Sequence, residues 1–218
     1  MWTRDELARM GDVCLRHGVL VVSDEIHQDF VYPGHRHQVF SDLSPGLRDI
    51  TVTCTAPSKT FNLAGLPLSN IFIPNPAMRR AFSREYAAGG LSQLGIMGIV
   101  ACKAAYGGGE EWLEELKIYL SGNLKLLRDF LSREIPQAKL IEPEGTYLAW
   151  LDFRSLELSP KELDDFIVHK AGLWLSGGPT FGAGGEGFQR INTACPRQVL
   201  RDALERLGKA VEIYRQPT

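Results

Sequence analysis

The chain has 218 residues, of which 44% are hydrophobic and 23% charged, a balance too apolar for a disordered polymer and a length sufficient to bury a core. Its 24 Lys and Arg are nearly cancelled by 26 Asp and Glu, leaving no basic excess to hold nucleic acid or an anionic membrane. No apolar run approaches membrane-spanning length and residues 1–5 lack the regions of a signal peptide, so a cytoplasmic location is expected.

Thr3-Arg4-Asp5-Glu6 reads as an N-cap with an acidic first turn, so the chain is expected to open part-way through a larger architecture. Leu7, Met10, Val13 and Cys14 fall on one helical face, predicting a helix over 3–17 that ends at Gly18. Val19 to Val22 and Ile50 to Cys54 are short apolar runs of the kind found in parallel strands covered on both faces. Each ends in polar residues, Ser23-Asp24-Glu25 and Thr55-Ala56-Pro57-Ser58-Lys59, at the edge where open parallel sheets place ligands. A third strand is expected at 69–73, closed by Pro74-Asn75-Pro76.

From Ala77 to Tyr106 the pattern is helical with a break at Gly89-Gly90, and a long helix over 110–134 is expected to bridge two lobes. Beyond it, short strands are expected near 140–141, 147–153, 173–175 and 189–191, with helices over about 160–170 and 196–214. The expected class is α/β: a mostly parallel sheet in residues 1–108, then an α+β lobe in 109–218.

Lys59 follows a buried strand, where partial desolvation can make a lysine a usable amine nucleophile, although a loop lysine is ordinarily solvated. Asp24 can cap the segment after its own strand, or can face a cationic ring nitrogen at the sheet edge. A Schiff-base lysine and a carboxylate on a pyridinium nitrogen are together what pyridoxal phosphate requires. The four cysteines, Cys14, Cys54, Cys102 and Cys195, form no paired motif and read as reduced, with no metal site. His35 and His37 read as solvated, Cys195 as a buried small hydrophobe, and the glycines of 182–187 as flexible turns.

Three ordered blocks carry a resemblance. Ser23-Asp24-Glu25-Ile26-His27-Gln28-Asp29-Phe30, Ala56-Pro57-Ser58-Lys59-Thr60-Phe61-Asn62-Leu63-Ala64-Gly65-Leu66 and Gly187-Phe188-Gln189-Arg190-Ile191-Asn192-Thr193-Ala194-Cys195-Pro196-Arg197 are similar to blocks of the fold-type I pyridoxal phosphate enzymes. More narrowly, they resemble the cystathionine β-lyase (C-S lyase) branch of the class I/II aminotransferase superfamily. The resemblance implies the carboxyl-terminal part of the large cofactor-binding domain followed by the small domain. It implies Lys59 as the catalytic lysine, Asp24 on the pyridine nitrogen, His27 near the ring oxygen, Ser58 toward the phosphate and Arg190 on the substrate carboxylate, with Arg197 structural. Ala56 and Pro67 stand where many relatives carry a phosphate-contacting serine and arginine.

By the same resemblance, a further segment before Met1 would supply a glycine-rich phosphate cup, a stacked aromatic residue and dimer-crossing elements. Losing half of a parallel sheet would expose strand edges and favour association, and a homodimer is expected. The implied activity is cleavage of the Cβ–S bond of L-cystathionine or L-cysteine. The alternatives are an aminotransferase on the same scaffold, or a non-catalytic fragment acting through protein contacts. The implied partner is a small amino-acid substrate.

Overall fold

The computed structural model describes residues 1–91 and 93–215, and the chain divides into two compact units, Met1–Glu115 and Leu116–Thr218. In the first unit, α1 (Arg4–His17) opens with a capping box: the Thr3 hydroxyl accepts the Glu6 N–H at 3.2 Å, and the Glu6 carboxylate accepts the Thr3 N–H at 2.8 Å. It closes on Gly18 in the left-handed region (φ 63°), and the Val19 N–H turns back to the Cys14 carbonyl at 2.9 Å. That closure uses the backbone of Val19, so strand β1 runs Val21–Asp24, later than the apolar run implied.

Helix α2 (Pro45–Ile50), capped by Ser44, leads directly into β2 (Thr51–Thr55). Strands β1 and β2 pair in parallel, from Val21 opposite Thr51 to Asp24 opposite Cys54. After the short helix α3 (Pro57–Thr60), β3 (Asn70–Phe72) joins the other side of β2, antiparallel, giving the order β1-β2-β3. The expected mostly parallel sheet is thus one parallel and one antiparallel pair among the described residues. Leu7, Phe40 and Leu47 form a small core with Val21, Leu43 and Ile50 packed on it. Coverage on both faces is not realised for β1: its burial alternates, and Val22 is 70% exposed.

Helix α4 (Pro76–Ala88) ends at Gly89-Gly90, with Gly90 at φ 68°, and α5 spans Ile96–Gly108. Helix α6 spans Glu110–Glu134, the range that its apolar stripe predicts, and the division between the units falls inside it. Among the described residues, no helix is long and apolar enough to cross a membrane.

The second unit holds an antiparallel sheet of β4 (Lys139–Ile141), β5 (Leu148–Asp152), β6 (Ser176–Gly177) and β7 (Phe188–Asn192), ordered β4-β5-β7-β6. Helix α7 (Pro160–Asp165) widens into a π-helical turn over Phe166–Lys170, and α8 (Arg197–Arg215) ends the described chain. The strand expected at 173–175 is absent because the Leu173 N–H closes that turn on the Ile167 carbonyl at 2.9 Å and Trp174 faces solvent; pairing begins at Ser176. The buried residues come from single faces: Leu120, Leu124, Leu127 and Leu131 on α6, Ala149 and Leu151 on β5, and Leu200, Leu204, Leu207 and Val211 on α8.

One polar residue interrupts the apolar face of α6. Asn123, wholly buried, donates to the Thr193 and Cys195 carbonyls at 2.9 Å each and accepts from the Arg197 guanidinium at 3.0 Å. Arg197 also lies over the Tyr119 ring at 4.5 Å, so both side chains tie the segment after β7 to α6. Replacing Asn123 by alanine strands the carbonyls of buried Thr193 and half-buried Cys195. Asn123→Ala is expected to cost about 1–3 kcal/mol in urea unfolding, whereas Gln198→Ala, at an exposed site on α8, should stay within about 0.5 kcal/mol of the parent.

Candidate functional site

The parallel register dictates what gathers at the carboxyl edge of the first sheet. Beyond the last pair of Asp24 and Cys54, the Glu25 N–H donates to the Cys54 carbonyl at 2.9 Å, so the strands stay together one residue further and then diverge. Asp24 is exposed, and its carboxylate accepts only the Ile26 N–H, at 3.1 Å, among the contacts described for it. Its charge, added to burial, pushes the Cys54 thiol up. Half-buried His27 stands in the turn that follows, whose carbonyl accepts the Phe30 N–H at 3.2 Å.

Period-two alternation carries Glu25 to the face opposite Asp24, where it is 4% exposed. Its carboxylate accepts the Ser23 hydroxyl at 2.9 Å and the Phe40 N–H at 3.2 Å, and meets His37 Nε2 at 2.8 Å. Burial would raise this carboxyl, but the hydrogen bonds from His37, Ser23 and Phe40 outweigh it and hold the group below its ordinary value. His37 is therefore an anchor for the loop after β1, not the solvated histidine its Pro-Gly surroundings implied. The signal was present: the same alternation that exposes Asp24 must bury its neighbour.

At the end of β2 the chain enters α3 through extended, buried Ala56, with Pro57 at the first helical position. Ser58 is half-buried and Lys59 exposed, so the partial desolvation expected for this lysine is not provided by this chain's own residues. Thr60 is fully buried and donates to the Asp29 carboxylate at 2.7 Å, lashing the turn with Lys59 to the turn with His27. Asn62 then takes the left-handed conformation (φ 54°), and the Leu63 N–H returns to the Ser58 carbonyl at 3.1 Å. Phe61 packs edge-on against Tyr106, 5.5 Å between centroids, and beside Trp112 at 6.0 Å.

Tyr106 and Thr55 line one cleft beside this edge. The Tyr106 phenol is pushed up chiefly by partial burial and then by the Asp29 charge. Asp29, Thr60 and Tyr106 were not singled out from the sequence, although Asp29 and Thr60 lie inside the quoted blocks. A cleft lined by Ser23, Asp24, Glu25 and His37, and another of about 600 Å³ lined by Thr55, Asn70 and Tyr106, flank this edge; Lys59 lines neither.

Arg190 belongs to the second unit. It sits half-buried on β7, opposite Trp150 of β5, with a long 3.5 Å hydrogen bond to the Ser176 hydroxyl and its guanidinium 4.6 Å over the Phe181 ring. Cys195 is half-buried, and burial pushes its thiol up, away from the thiolate a nucleophile needs. The glycine-rich stretch forms close turns: a side chain at Gly178 would strike the Gly185 backbone, and Gly187 holds φ 76°.

A family model described as "Aminotransferase class I and II" matches residues 1–207. The chain belongs to this family. Among curated members, it is 44% identical over 96% of its length to cystathionine beta-lyase PatB of Bacillus subtilis, covering 54% of that protein. It is 36% identical over 99% of its length to protein MalY of Escherichia coli, covering 55%. Among solved structures, cystalysin from Treponema denticola, described as containing a pyridoxal 5'-phosphate cofactor, superposes with a TM-score of 0.94 at 40% identity, over 98% of this chain and 54% of that one. The chain thus spans about half the length of these relatives.

For this family member the buried carboxylate at Glu25 makes stability depend on pH. Its folded value lies below the ordinary 4.5, so the stabilisation it provides is complete above that pH and is lost as the pH falls through the folded value. In urea unfolding over a pH series, Glu25→Gln is expected to be less stable than the parent by a constant margin at neutral pH, and that margin should shrink under acid.

Proposed function

We propose that this chain carries the lysine, aspartate and arginine of a pyridoxal phosphate-dependent C–S β-lyase. The reaction releases pyruvate, ammonia and a thiol from L-cystathionine or L-cysteine. The observation that carries the reading is the parallel β1–β2 register, which brings Asp24 and the Ser58-Lys59 turn to one edge of one strand pair. The 44% identity to a cystathionine β-lyase supports sulfur chemistry on that edge.

The donor set fits the cofactor. Asp24 offers a carboxylate for a ring nitrogen, Ser58 a hydroxyl for a phosphate, Lys59 an amine for an aldehyde, and His27 an imidazole for a ring oxygen. When bound, pyridoxal phosphate supplies the aldehyde that captures an amine and a ring that takes up electrons released at the substrate Cα. Asp24 would hold the cofactor by its ring nitrogen and favour the protonated form of that nitrogen. Lys59 would tether the cofactor by its amine and, as general base and acid, would take the proton from the substrate Cα and give one to the departing sulfur. Arg190 presents its fork of N–H groups to the α-carboxylate.

In this proposal residues 1–108 are the carboxyl-terminal part of the cofactor-binding domain and 109–218 the small domain, in keeping with a division that falls inside α6. A homodimer is part of the same proposal, supported by exposed Val19, Leu20 and Val22 at the β1 edge. A second reading, an aminotransferase, is favoured by the breadth of the family match and uses the same residues to return an amino group to a 2-oxo acid.

Purified protein incubated with pyridoxal phosphate is expected to develop the yellow imine absorbance, and Lys59→Ala to abolish it. The parent should then release pyruvate from L-cystathionine with no 2-oxo acid present, and Lys59→Ala should lower kcat by roughly 10²–10⁴-fold. A band that never forms, or that survives in Lys59→Ala, would defeat the cofactor assignment. Strict dependence on 2-oxoglutarate would replace the lyase by the aminotransferase.

A further inference from the structure

Arg190 ends a run of three aromatic rings in contact, covered at its other end by a second arginine, all within the second unit. The Arg190 guanidinium covers Phe181 at 4.6 Å. Phe181 meets Trp150 edge-on at 5.3 Å, and Trp150 stacks on Phe188 at 5.4 Å and 14°. Arg154 covers Phe188 at 4.8 Å and is paired to Asp152 at 2.8 Å. Among the described residues, Arg154 is paired with a carboxylate, whereas the contacts described for Arg190 are a neutral hydroxyl and an aromatic face. A guanidinium held by its face keeps its N–H edge available to an anion.

Phe181 owes its place to backbone packing. It closes a 3₁₀ turn, Gly178–Phe181, in which the Thr180 hydroxyl donates to the Gly177 carbonyl at 2.7 Å. The next turn folds back so closely that neither Gly178 nor Gly185 has room for a β-carbon. The turn that carries the ring is set by two glycines in backbone contact, and Phe181 is 51% exposed.

We propose that Phe181 is a positioning residue for Arg190: the ring pins one face of the guanidinium and so orients its N–H edge toward a small carboxylate ligand. This deepens the lyase reading and rests on it for the identity of that carboxylate, the α-carboxylate of the amino-acid substrate. The covering ring adds no contact to the ligand; it acts by removing rotamers in which the guanidinium swings into solvent.

The test separates the two readings by using a binding probe that needs no turnover. In the ¹⁵N spectrum of the protein, the Arg190 Nε–Hε resonance, assigned by its loss in Arg190→Lys, is followed while sodium acetate is added. Phe181→Leu is expected to weaken acetate binding at this resonance by roughly three- to tenfold, and Phe181→Tyr, which keeps the ring, to restore it. In the cofactor-loaded protein, Phe181→Leu should raise the KM for L-cystathionine by a similar factor with kcat unchanged. Equal acetate affinity in the parent and Phe181→Leu, or equal loss in Phe181→Tyr and Phe181→Leu, would overturn the proposal. Normal acetate behaviour with no pyruvate formed would uphold the positioning role and remove the lyase reading instead.

Discussion

The arrangement of polar residues in the first unit depends on the parallel pairing of β1 with β2. Parallel neighbours deliver their carboxyl ends to the same edge, so residues separated by a long crossover in sequence arrive side by side. Here the pairing runs to Asp24 and Cys54 and is extended by the Glu25 N–H on the Cys54 carbonyl. A one-residue slip would exchange the exposed Asp24 for the buried Glu25 and leave an uncompensated charge inside. The register is therefore protected by the same alternation that makes the edge useful.

Around that edge, the exposed groups are held by buried ones. Glu25 is desolvated, yet three hydrogen bonds more than offset the cost of keeping its charge, and through His37 and Phe40 it fastens the loop after β1. Thr60, with no exposed surface, fastens the Lys59 turn to Asp29. Lys59 and Asp24 themselves stay exposed. This division follows from the energetics of burial: a buried polar group is tolerable only when bonded, and once bonded it is rigid.

In the second unit the same logic operates on an antiparallel sheet. Alternation along β7 buries Gln189, bonded to Asp164 at 2.8 Å, and Ile191, while turning Arg190 to the other face beside Trp150. There the side chains are aromatic, so a cation is held without being neutralised. Gly178 and Gly185 matter through close backbone approach, which no residue with a β-carbon permits.

Much of this was legible in the sequence. The stripe on α6, the Gly-Gly break between α4 and α5, the Thr3-Glu6 cap and the ordered blocks around Asp24, Lys59 and Arg190 are local patterns, each contained in a few turns of chain. Local rules failed where a backbone group had two possible partners. Val19 and Leu173 look like strand residues, but their N–H groups are consumed in closing the preceding helical turns. His37 looked solvated because its carboxylate partner lies 12 residues away, across a loop. The sequence by itself determined which residue types stand at the ends of which elements, because periodicity and capping are properties of neighbouring residues. Only the tertiary structure decided which of them are buried, which are bonded, and that Phe181 lies over Arg190, because those outcomes depend on distances between segments that no local pattern contains.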